Sequence, residues 1–332
     1  MTRRCTIFDQ LLESRAVLVA DGAMGTTLFS LGLEGGGCPE LLNIEEVDLV
    51  GRVHRNFIAA GADIILTNTF GGNARRLALH GLQARVRELN HAAATVAREA
   101  VDASGRPVAV AGSIGPTGNL FQPLGDLSHA AGVEVFAEQA EALAEAGVDV
   151  LWVETISSWE ELEAAIEGTD GLGLPVVATL SFDTVGHTMM GISGKALGQW
   201  WEKHGLRPVA VGANCGIGPG DAVSAALDIT SEALDAVVVT KANCGMPLYE
   251  TDRLVYPIGP ERMDVYVELA VRAGARIVGA CCGSTPDHVA AIRVAVDGGV
   301  DGGRPDHIEI EDRLDASPLR VAASQPRRRR RG

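Results

Sequence analysis

Residues 276–282 read Arg-Ile-Val-Gly-Ala-Cys-Cys, a short apolar run that ends in two adjacent cysteines. A third cysteine, Cys215, closely follows a similar run at 209–213. Apolar runs of this length, bounded by glycine and polar residues, are typical of buried strands. Three thiols at strand ends predict an open zinc site, because a catalytic zinc takes three protein ligands whereas a structural zinc takes four.

The same type of apolar run occurs eight times along the chain. The runs are 16–20, 62–67, 108–112, 148–153, 175–180, 209–213, 236–240 and 276–280. Alanine-rich segments with helical spacing separate nearly all of them. Parallel strands joined by helices in eight units predict a single closed (β/α)₈ barrel. A doubly wound open sheet uses similar local signals and is the alternative.

Polar residues follow nearly every run, and their placement favours the barrel. They include Asp21, Asn68, Thr69, Ser113, Glu154, Asn214, Cys215, Asn243, Cys244, Cys281 and Cys282. Barrel enzymes build their active sites from the loops at the carboxyl ends of the strands. We therefore expect these residues to meet at one mouth, so that cysteines distant in sequence can share one metal ion.

Composition indicates one large domain and limits the possible partners. The 332 residues are 46% hydrophobic and carry a net charge of −15, which argues against nucleic acid or an anionic membrane as a partner. The apolar stretch at 16–20 is too short for a signal peptide or a membrane span, so we expect a cytoplasmic protein. The sequence leaves the oligomeric state open.

The C-terminal segment differs from the rest of the chain. Residues 312–326 are polar and lack periodicity, and Arg327 to Arg331 form a basic run. This composition is typical of a disordered tail rather than of a nucleic-acid-binding arm. We therefore predict a barrel domain over residues 1–311 and a disordered basic tail over residues 312–332.

The motifs at the predicted strand ends resemble the zinc-dependent homocysteine S-methyltransferase family. They are Asp-Gly-Ala-Met-Gly-Thr at 21–26, Thr-Asn-Thr-Phe at 67–70, Gly-Pro-Thr at 115–117, Glu-Thr at 154–155, Gly-Ala-Asn-Cys at 212–215 and Gly-Ala-Cys-Cys-Gly at 279–283. The resemblance covers roughly residues 10–298. It implies methyl transfer to the thiol of L-homocysteine, with L-methionine as the product.

The chemistry of a thiol substrate explains why such an enzyme needs zinc. A free thiol is only a few per cent thiolate at pH 7, and thiolate is the nucleophile. Binding of the substrate sulfur to zinc favours its deprotonation. We predict Cys215, Cys281 and Cys282 as the zinc ligands. Cys244 is predicted to line the mouth, although it could also close a Cys₄ site.

Homocysteine also carries an ammonium and a carboxylate group. Asp21 and Glu154 are the natural partners of the ammonium group. The resemblance implies the same role for both, with Gly22 allowing close approach of the backbone. It further implies that Thr69 and Asn214 line or orient the substrate site.

The methyl donor is the least determined part of this interpretation. We expect a small donor, glycine betaine first, because no folate-binding or cobalamin-binding domain follows the barrel. Betaine-dependent animal members of the family carry tyrosine where Gly71 and Thr155 stand here. An aromatic cage could be rebuilt from other side chains. The candidates are Phe70, Phe121, Trp152, Tyr249 and Tyr256.

Three alternatives to betaine as the methyl donor remain. Two further alternatives assign the chain a chemistry other than methyl transfer. The donor could be S-methylmethionine or another sulfonium, a methylated corrinoid protein that docks at the mouth, or a methyltetrahydrofolate-linked system. Lys241 could instead form a Schiff base in an aldolase-like barrel, but this leaves the cysteines unexplained. A non-enzymatic protein with zinc bound by Cys215, Cys244, Cys281 and Cys282 is the other possibility.

Overall fold

The computed structural model describes residues 4–184, 186–250 and 253–314. Eight parallel strands form one sheet in the order β1-β10-β7-β6-β5-β4-β3-β2. Their bounds are β1 Leu18–Val19, β2 Ile64–Leu66, β3 Ala109–Ile114, β4 Val150–Ile156, β5 Val176–Leu180, β6 Ala210–Cys215, β7 Val237–Ala242 and β10 Ala275–Ala280. A separate antiparallel hairpin pairs β8 Leu248–Glu250 with β9 Arg253–Val255.

The first and last strands of this order also contact each other, which closes the barrel. Ala20 forms a parallel bridge with Ile64, just beyond the end of β1. The amide of Asp21 donates to the carbonyl of Ile64 at 2.9 Å, and the amide of Asp63 donates to the carbonyl of Val19 at 2.7 Å. The predicted (β/α)₈ barrel is therefore confirmed.

Helices surround the barrel and connect its strands. Their bounds are α1 Ile7–Ser14, α2 Met24–Ser30, α3 Leu42–Glu45, α4 Val47–Ala59, α5 Ala74–Leu77, α6 Val86–Ser104, α7 His129–Glu145, α8 Trp159–Thr169, α9 Gly194–Lys203, α10 Pro219–Glu232, α11 Met263–Arg272, α12 Pro286–Asp297 and α13 His307–Leu314. Short 3₁₀ turns lie at Pro39–Leu41, Ala78–His80, Gln83–Arg85 and Pro260–Arg262. Within the described residues, no helix is long and apolar enough to cross a membrane.

Apolar side chains fill the inside of the barrel from its amino-terminal end. Trp152, Val177 and Ile277 point into this inner core, which Phe8 and Leu11 of α1 join from below. Burial of such side chains stabilises the fold by roughly 1.5–3 kcal/mol each. The closed base leaves the carboxyl-terminal mouth as the end where a substrate can enter.

The strand ends differ from prediction mainly at the mouth. Strands β6 and β7 continue to Cys215 and Ala242, because their polar terminal residues still pair with each other in register. The β8–β9 hairpin was not predicted. Helix α13 runs to Leu314, past the predicted domain boundary at residue 311, and the remainder of the predicted tail lies outside the described residues.

Candidate active site

Three cysteine sulfur atoms lie together at the mouth of the barrel. The Sγ atoms of Cys215, Cys281 and Cys282 all lie within 4.8 Å of one another, and those of Cys215 and Cys281 are 2.8 Å apart. Cys215 ends β6, whereas the other two follow β10, and β7 lies between these strands. The strand order of the barrel therefore creates the cluster from two distant parts of the sequence.

A strained turn after β6 places Cys215. Its φ is 54°, in the left-handed region, and Thr155 at the end of β4 also has a left-handed φ of 64°. Non-glycine residues rarely adopt this conformation, and a β-branched residue there is a clear outlier. The side chain of Asn214 holds both segments, because Oδ1 accepts from the Thr155 amide at 2.8 Å and Nδ2 donates to the Thr155 Oγ1 at 2.7 Å.

The cysteine pair after β10 is held by the turn that follows β7. The amide of Cys281 donates to the carbonyl of Ala242 at 2.6 Å. The Asn243 side chain accepts from the Cys282 amide at 2.9 Å and donates to the Gly216 carbonyl at 2.7 Å. One amide side chain thus links the two cysteine-bearing turns and fixes their separation.

The three thiols cannot all ionise in the absence of a cation. Hydrogen bonding with Cys281 and Cys282 raises the pKa of Cys215 well above its usual value, and burial raises it further. A bound divalent cation reverses this effect, since it deprotonates its thiol ligands. Zinc suits three thiolate ligands, which at about 2.3 Å from one tetrahedral ion would be roughly 3.8 Å apart, so the Cys215 and Cys281 sulfurs, which lie 2.8 Å apart, would separate by about 1 Å on binding.

Cys244 lies apart from the cluster. It is buried, and its sulfur is not among the atoms that form the one potential metal-binding group found within the described residues. Its amide donates to the carbonyl of Cys282 at 2.9 Å. Burial raises the pKa of the Cys244 thiol to about 12, with a further contribution from Cys281. This arrangement matches a neutral thiol that packs behind the cysteine pair.

Asp21 at the end of β1 forms a buried ion pair with Lys241 of β7. The Lys241 Nζ lies 3.2 Å from Asp21 Oδ1 and also donates to the carbonyl of Ala280 at 2.9 Å. The other carboxylate oxygen of Asp21 accepts from the Leu66 amide at 2.8 Å. Burial raises the pKa of Asp21, while Lys241 opposes the rise. The ion pair and these hydrogen bonds therefore tie four strands, β1, β2, β7 and β10, together beside the thiols.

Glu154 is the second carboxylate of the mouth and is held differently. Its Oε1 accepts from the hydroxyl of Ser113, and Oε2 has no hydrogen-bond donor among the described residues. The side chain is nearly buried, and burial raises its pKa to about 7 despite the opposing effect of Lys241. Glu154 can therefore be ionised or neutral near neutral pH, and a cationic group beside it would favour the ionised form.

A cavity of about 450 Å³ lies above these groups. Its wall includes Asp21, Gly22, Glu154, Cys215, Lys241, Cys281 and Cys282, together with rim residues such as Phe29, Phe70 and Arg76. A Cβ at Gly22 would lie 2.6 Å from the Phe57 ring and 2.7 Å from Ser284 Oγ, so packing against these two side chains requires glycine there. The cavity is large enough for two small substrates.

Two predicted substrate residues lie behind the wall rather than on it. The hydroxyl of Thr69 donates to the carbonyl of Ser113 at 2.6 Å and contacts Thr67. Asn214 is buried and uses its side chain to hold Thr155, as described above. Both residues are thus placed to orient the site, which is one of the two roles that the sequence allowed.

The aromatic residues considered for an onium-binding cage differ in whether they line the cavity. Phe70 lines the cavity with 38% of its surface exposed, and Phe29, which the sequence did not single out, lines it with 46% exposed. Trp152 lies inside the barrel core and Phe121 is buried outside the cavity, so neither can contact a ligand there. Two phenylalanines on neighbouring loops therefore form the aromatic part of the rim.

Sequence reasoning missed the supporting residues of this site. Lys241 was considered only as a Schiff-base lysine, and its pairing with Asp21 argues against that role because the pairing raises the pKa of Lys241. The sequence places Ser113 and Asn243 at the mouth but assigns them no supporting role. The Ser113 hydroxyl donates to Glu154, and the Asn243 side chain links the two cysteine-bearing turns. The position of each directly after a strand was the available signal.

Comparison with known proteins identifies relatives of this chain. The sequence profile of the Homocysteine S-methyltransferase family matches residues 18–296. Methionine synthase from Mycobacterium tuberculosis is 32% identical over 305 residues, which cover 85% of this chain and 25% of that protein. Methionine synthase from Mycobacterium leprae is also 32% identical, over 310 residues. The chain therefore spans about a quarter of the length of these two relatives.

Solved structures also share the fold. The metallated form of the homocysteine methyltransferase MmuM from Escherichia coli superposes with a TM-score of 0.73 at 25% identity, covering 87% of this chain and 99% of that one. The oxidized form of the same protein gives a TM-score of 0.70 at 26% identity over the same shares of the two chains. A methyltransferase from Methanosarcina mazei, at 13% identity and a TM-score of 0.56, shares the fold alone.

Proposed function

Because the chain belongs to the homocysteine S-methyltransferase family, we propose that it transfers a methyl group from glycine betaine to the thiol of L-homocysteine. The products are L-methionine and dimethylglycine. The observation that carries this proposal is the cluster of three cysteine sulfurs within 4.8 Å of one another at the mouth of the barrel. Such a cluster holds a metal ion and leaves one position open for a sulfur substrate.

The proposed metal ligands are Cys215, Cys281 and Cys282. A zinc ion bound there supplies Lewis-acid chemistry that lowers the pKa of a substrate thiol. The chain contributes the geometry, because Asn214 and Asn243 fix the two cysteine-bearing turns through their side-chain amides. Residues that orient metal ligands in this way typically contribute 10–100-fold to metal affinity or activity.

The proposed partners of the homocysteine ammonium group are Glu154 and Asp21. Both line the cavity together with the thiols, and Glu154 keeps one carboxylate oxygen free of donors from the described residues. Asp21 is already paired with Lys241, so Glu154 carries most of this interaction. Gly22 provides close approach of the backbone, while Thr69 and Asn214 orient the wall behind it.

Betaine as the donor is supported by the aromatic rim. Phe29 and Phe70 present exposed ring surface to the cavity, and a quaternary ammonium binds favourably to an aromatic face. Phe29 lies on α2 after β1, and Phe70 lies in the loop after β2. A donor held there can present a methyl group toward a sulfur bound beside the thiols.

The experiment compares donors in separate reactions. Zinc-loaded protein is incubated with homocysteine and either betaine, S-methylmethionine or methyltetrahydrofolate, and methionine is measured by mass spectrometry. Cys282→Ser is the negative control, and we expect methionine with betaine from the unaltered protein only. Dimethylglycine should form in equal amount.

The other outcomes are equally informative. Turnover with S-methylmethionine alone would assign a sulfonium donor and overturn the betaine proposal. Turnover with methyltetrahydrofolate, or only after addition of a methylated corrinoid protein, would indicate a component of a larger methionine-forming system. No methionine under any of these conditions, combined with a zinc site that homocysteine does not perturb, would refute methyl transfer.

A further inference from the structure

Arg76 is a cation at the mouth that has no protein partner within the part of the chain that the structure describes. It belongs to the short helix α5 after β2 and contributes to the wall of the cavity that contains the thiols. Among the described residues, its guanidinium has no carboxylate partner and no hydrogen-bond acceptor; only its backbone amide is bonded, to Asn73 Oδ1 at 3.0 Å. A half-buried arginine aimed at a cavity without an acceptor indicates an anionic ligand.

The other strong cation of the cavity is not available. Lys241 is buried, and its ammonium group is occupied by Asp21 and by the carbonyls of Gly22 and Ala280. The thiols and Glu154 make the floor anionic or neutral, so a carboxylate would be repelled there. Arg76 therefore offers the favourable position for a negative charge within this cavity.

Arg76 lies across the mouth from Cys215, whereas the strand before it is two positions from β10, which precedes Cys281 and Cys282. In the closed ring of eight strands, β2 and β6 are four positions apart in either direction. Arg76 follows β2, and Cys215 ends β6. Gly118, in the loop after β3, covers the arginine side chain, because a Cβ there would lie 3.3 Å from its Cδ and Nη1 atoms.

Methyl transfer has a direction that matches this layout. The homocysteine thiol first gives up its proton, and its sulfur then forms a bond to the methyl carbon. As the bond between that carbon and the donor's onium atom breaks, its electron pair stays on the nitrogen or sulfur of the donor. The leaving group therefore lies on the far side of the methyl carbon from the sulfur, and a substrate sulfur held near Cys215 would direct it toward the strands across the mouth, which include β2 before Arg76.

We infer that Arg76 binds the carboxylate of the methyl donor, so that the enzyme selects donors that carry both an onium centre and a carboxylate. This inference rests on the proposed methyl transfer. Phe29 and Phe70 line the same cavity as Arg76, and their rings would contact the onium centre. Simple onium ions without a carboxylate lack one of the two groups that this site is inferred to bind.

The first test pairs donors that differ only in the carboxylate. Dimethylsulfonioacetate and trimethylsulfonium are compared as donors for the unaltered zinc-loaded protein, for Arg76→Ala and for Arg76→Lys. Arg75→Ala is the matched control, because the neighbouring Arg75 is exposed and does not line the cavity. Far-ultraviolet circular dichroism and urea midpoints verify that each variant is folded.

We expect Arg76→Ala to raise KM for dimethylsulfonioacetate by roughly 10–100-fold, the usual loss for a charge-assisted hydrogen bond. The KM for homocysteine and the rate with trimethylsulfonium should stay within about twofold, and Arg76→Lys should recover part of the loss. An equal loss with both donors, or a rise in the KM for homocysteine instead, would overturn the inference.

A binding measurement separates this inference from the proposed function. Calorimetry with betaine and with choline, in the presence of zinc and homocysteine, reports recognition without turnover. Binding of betaine but not choline to the unaltered protein, lost in Arg76→Ala, supports the carboxylate site even if no methionine forms. Equal binding of betaine by both proteins, or no binding to either, contradicts it.

Discussion

The two ends of the barrel each bury an aspartate next to the junction of β1 and β2, but they neutralise it differently. At the base, Asp63 accepts from Arg15 at 2.5 Å, from Arg293 at 3.0 Å and from the Val19 amide at 3.0 Å. At the mouth, Asp21 has one cation, Lys241, at 3.2 Å. The arginines at the base reach solvent, whereas Lys241 is buried.

This difference shows what each end is suited for. At the base, more positive than negative charge surrounds the carboxylate of Asp63. The excess positive charge lies on arginines that reach solvent, so this network serves to stabilise the fold. Three carboxylates, those of Asp21, Glu40 and Glu154, and three thiols line the mouth, against the buried ammonium group of Lys241 and the guanidinium of Arg76. The mouth is short of positive charge, and a metal ion and a substrate ammonium group would supply it. The following five changes test this contrast.

The largest effect is expected from removal of one thiol of the cluster. Cys281→Ser should lower the affinity for zinc by more than the 10–100-fold that is typical of a residue supporting a metal ligand. Turnover should fall as zinc is lost. Zinc content after gel filtration, measured by mass spectrometry, is the assay. Full zinc occupancy in Cys281→Ser at micromolar total zinc would show that the cluster is not the metal site.

Lys241→Met should destabilise the mouth strongly. The substitution leaves the buried carboxylate of Asp21 without its cation, which costs about 3–5 kcal/mol in similar cases. Urea unfolding of the zinc-free protein measures the free energy of unfolding. The double variant Asp21→Asn with Lys241→Met should recover most of the loss. If the single variant were as stable as the unaltered protein, the ion pair would not be the support of the mouth.

Glu154 should make the stability of the zinc-free protein depend on pH. Burial raises its pKa in the folded state to about 7, from an ordinary value of 4.5. The folded state then binds this proton more tightly than the unfolded state, so its contribution to stability falls as the pH rises from about 4.5 to 7. The fall is about 3 kcal/mol.

Urea unfolding near pH 5 and near pH 8 measures that fall. Glu154→Gln is the matched control, because it cannot ionise, and its stability should lack this contribution. A pH profile that is identical in Glu154→Gln and in the unaltered protein would rule out Glu154 as its source. It would also mean that the carboxyl is already paired in the folded protein.

The base should respond less than the mouth to the loss of charge. Asp63→Asn keeps the acceptor for the Val19 amide but removes the charge that pairs with the arginines. Because these guanidinium groups can turn to water, we expect about 2 kcal/mol of destabilisation and unchanged zinc content. Loss of zinc together with stability would show that the two ends are coupled.

The smallest effect is expected at Cys244. Cys244→Ala removes one buried sulfur outside the cluster, so the stability should fall by about 1 kcal/mol and the zinc content should not change. Zinc X-ray absorption of this variant should show the same number of sulfur neighbours as the unaltered protein. A loss of one sulfur neighbour would instead support the closed Cys₄ site.

The sequence predicted the barrel and its polar mouth because both follow from local patterns. Apolar runs locate strands, and the carboxyl ends of parallel strands must share one edge, so the meeting of Cys215 with Cys281 and Cys282 could be foreseen. The strand predicted from the short run at 16–20 agrees least with the structure. Only Leu18–Val19 forms a strand there, and the bridge at Ala20 completes the closure.

The partners of the polar residues could not be predicted in the same way. The contact of Lys241 with Asp21 joins positions 220 residues apart, and it depends on the β1–β10–β7 order that only the folded barrel shows. The roles of Phe29 and Arg76 depend on how the loops after β1 and β2 fold over the cavity. Neither loop has a periodic pattern that fixes side-chain direction.

The order in which the three cysteines are synthesised determines when the cluster can form. Cys215 and Cys281 are 66 residues apart, and β10, which precedes Cys281, is both the last barrel strand and the neighbour of the first. A nascent chain that has not yet exposed β10 outside the ribosome offers only one thiol of the cluster. Capture of a metal ion by all three thiols would therefore require a chain that has completed the ring, so that metal uptake would report closure of the barrel.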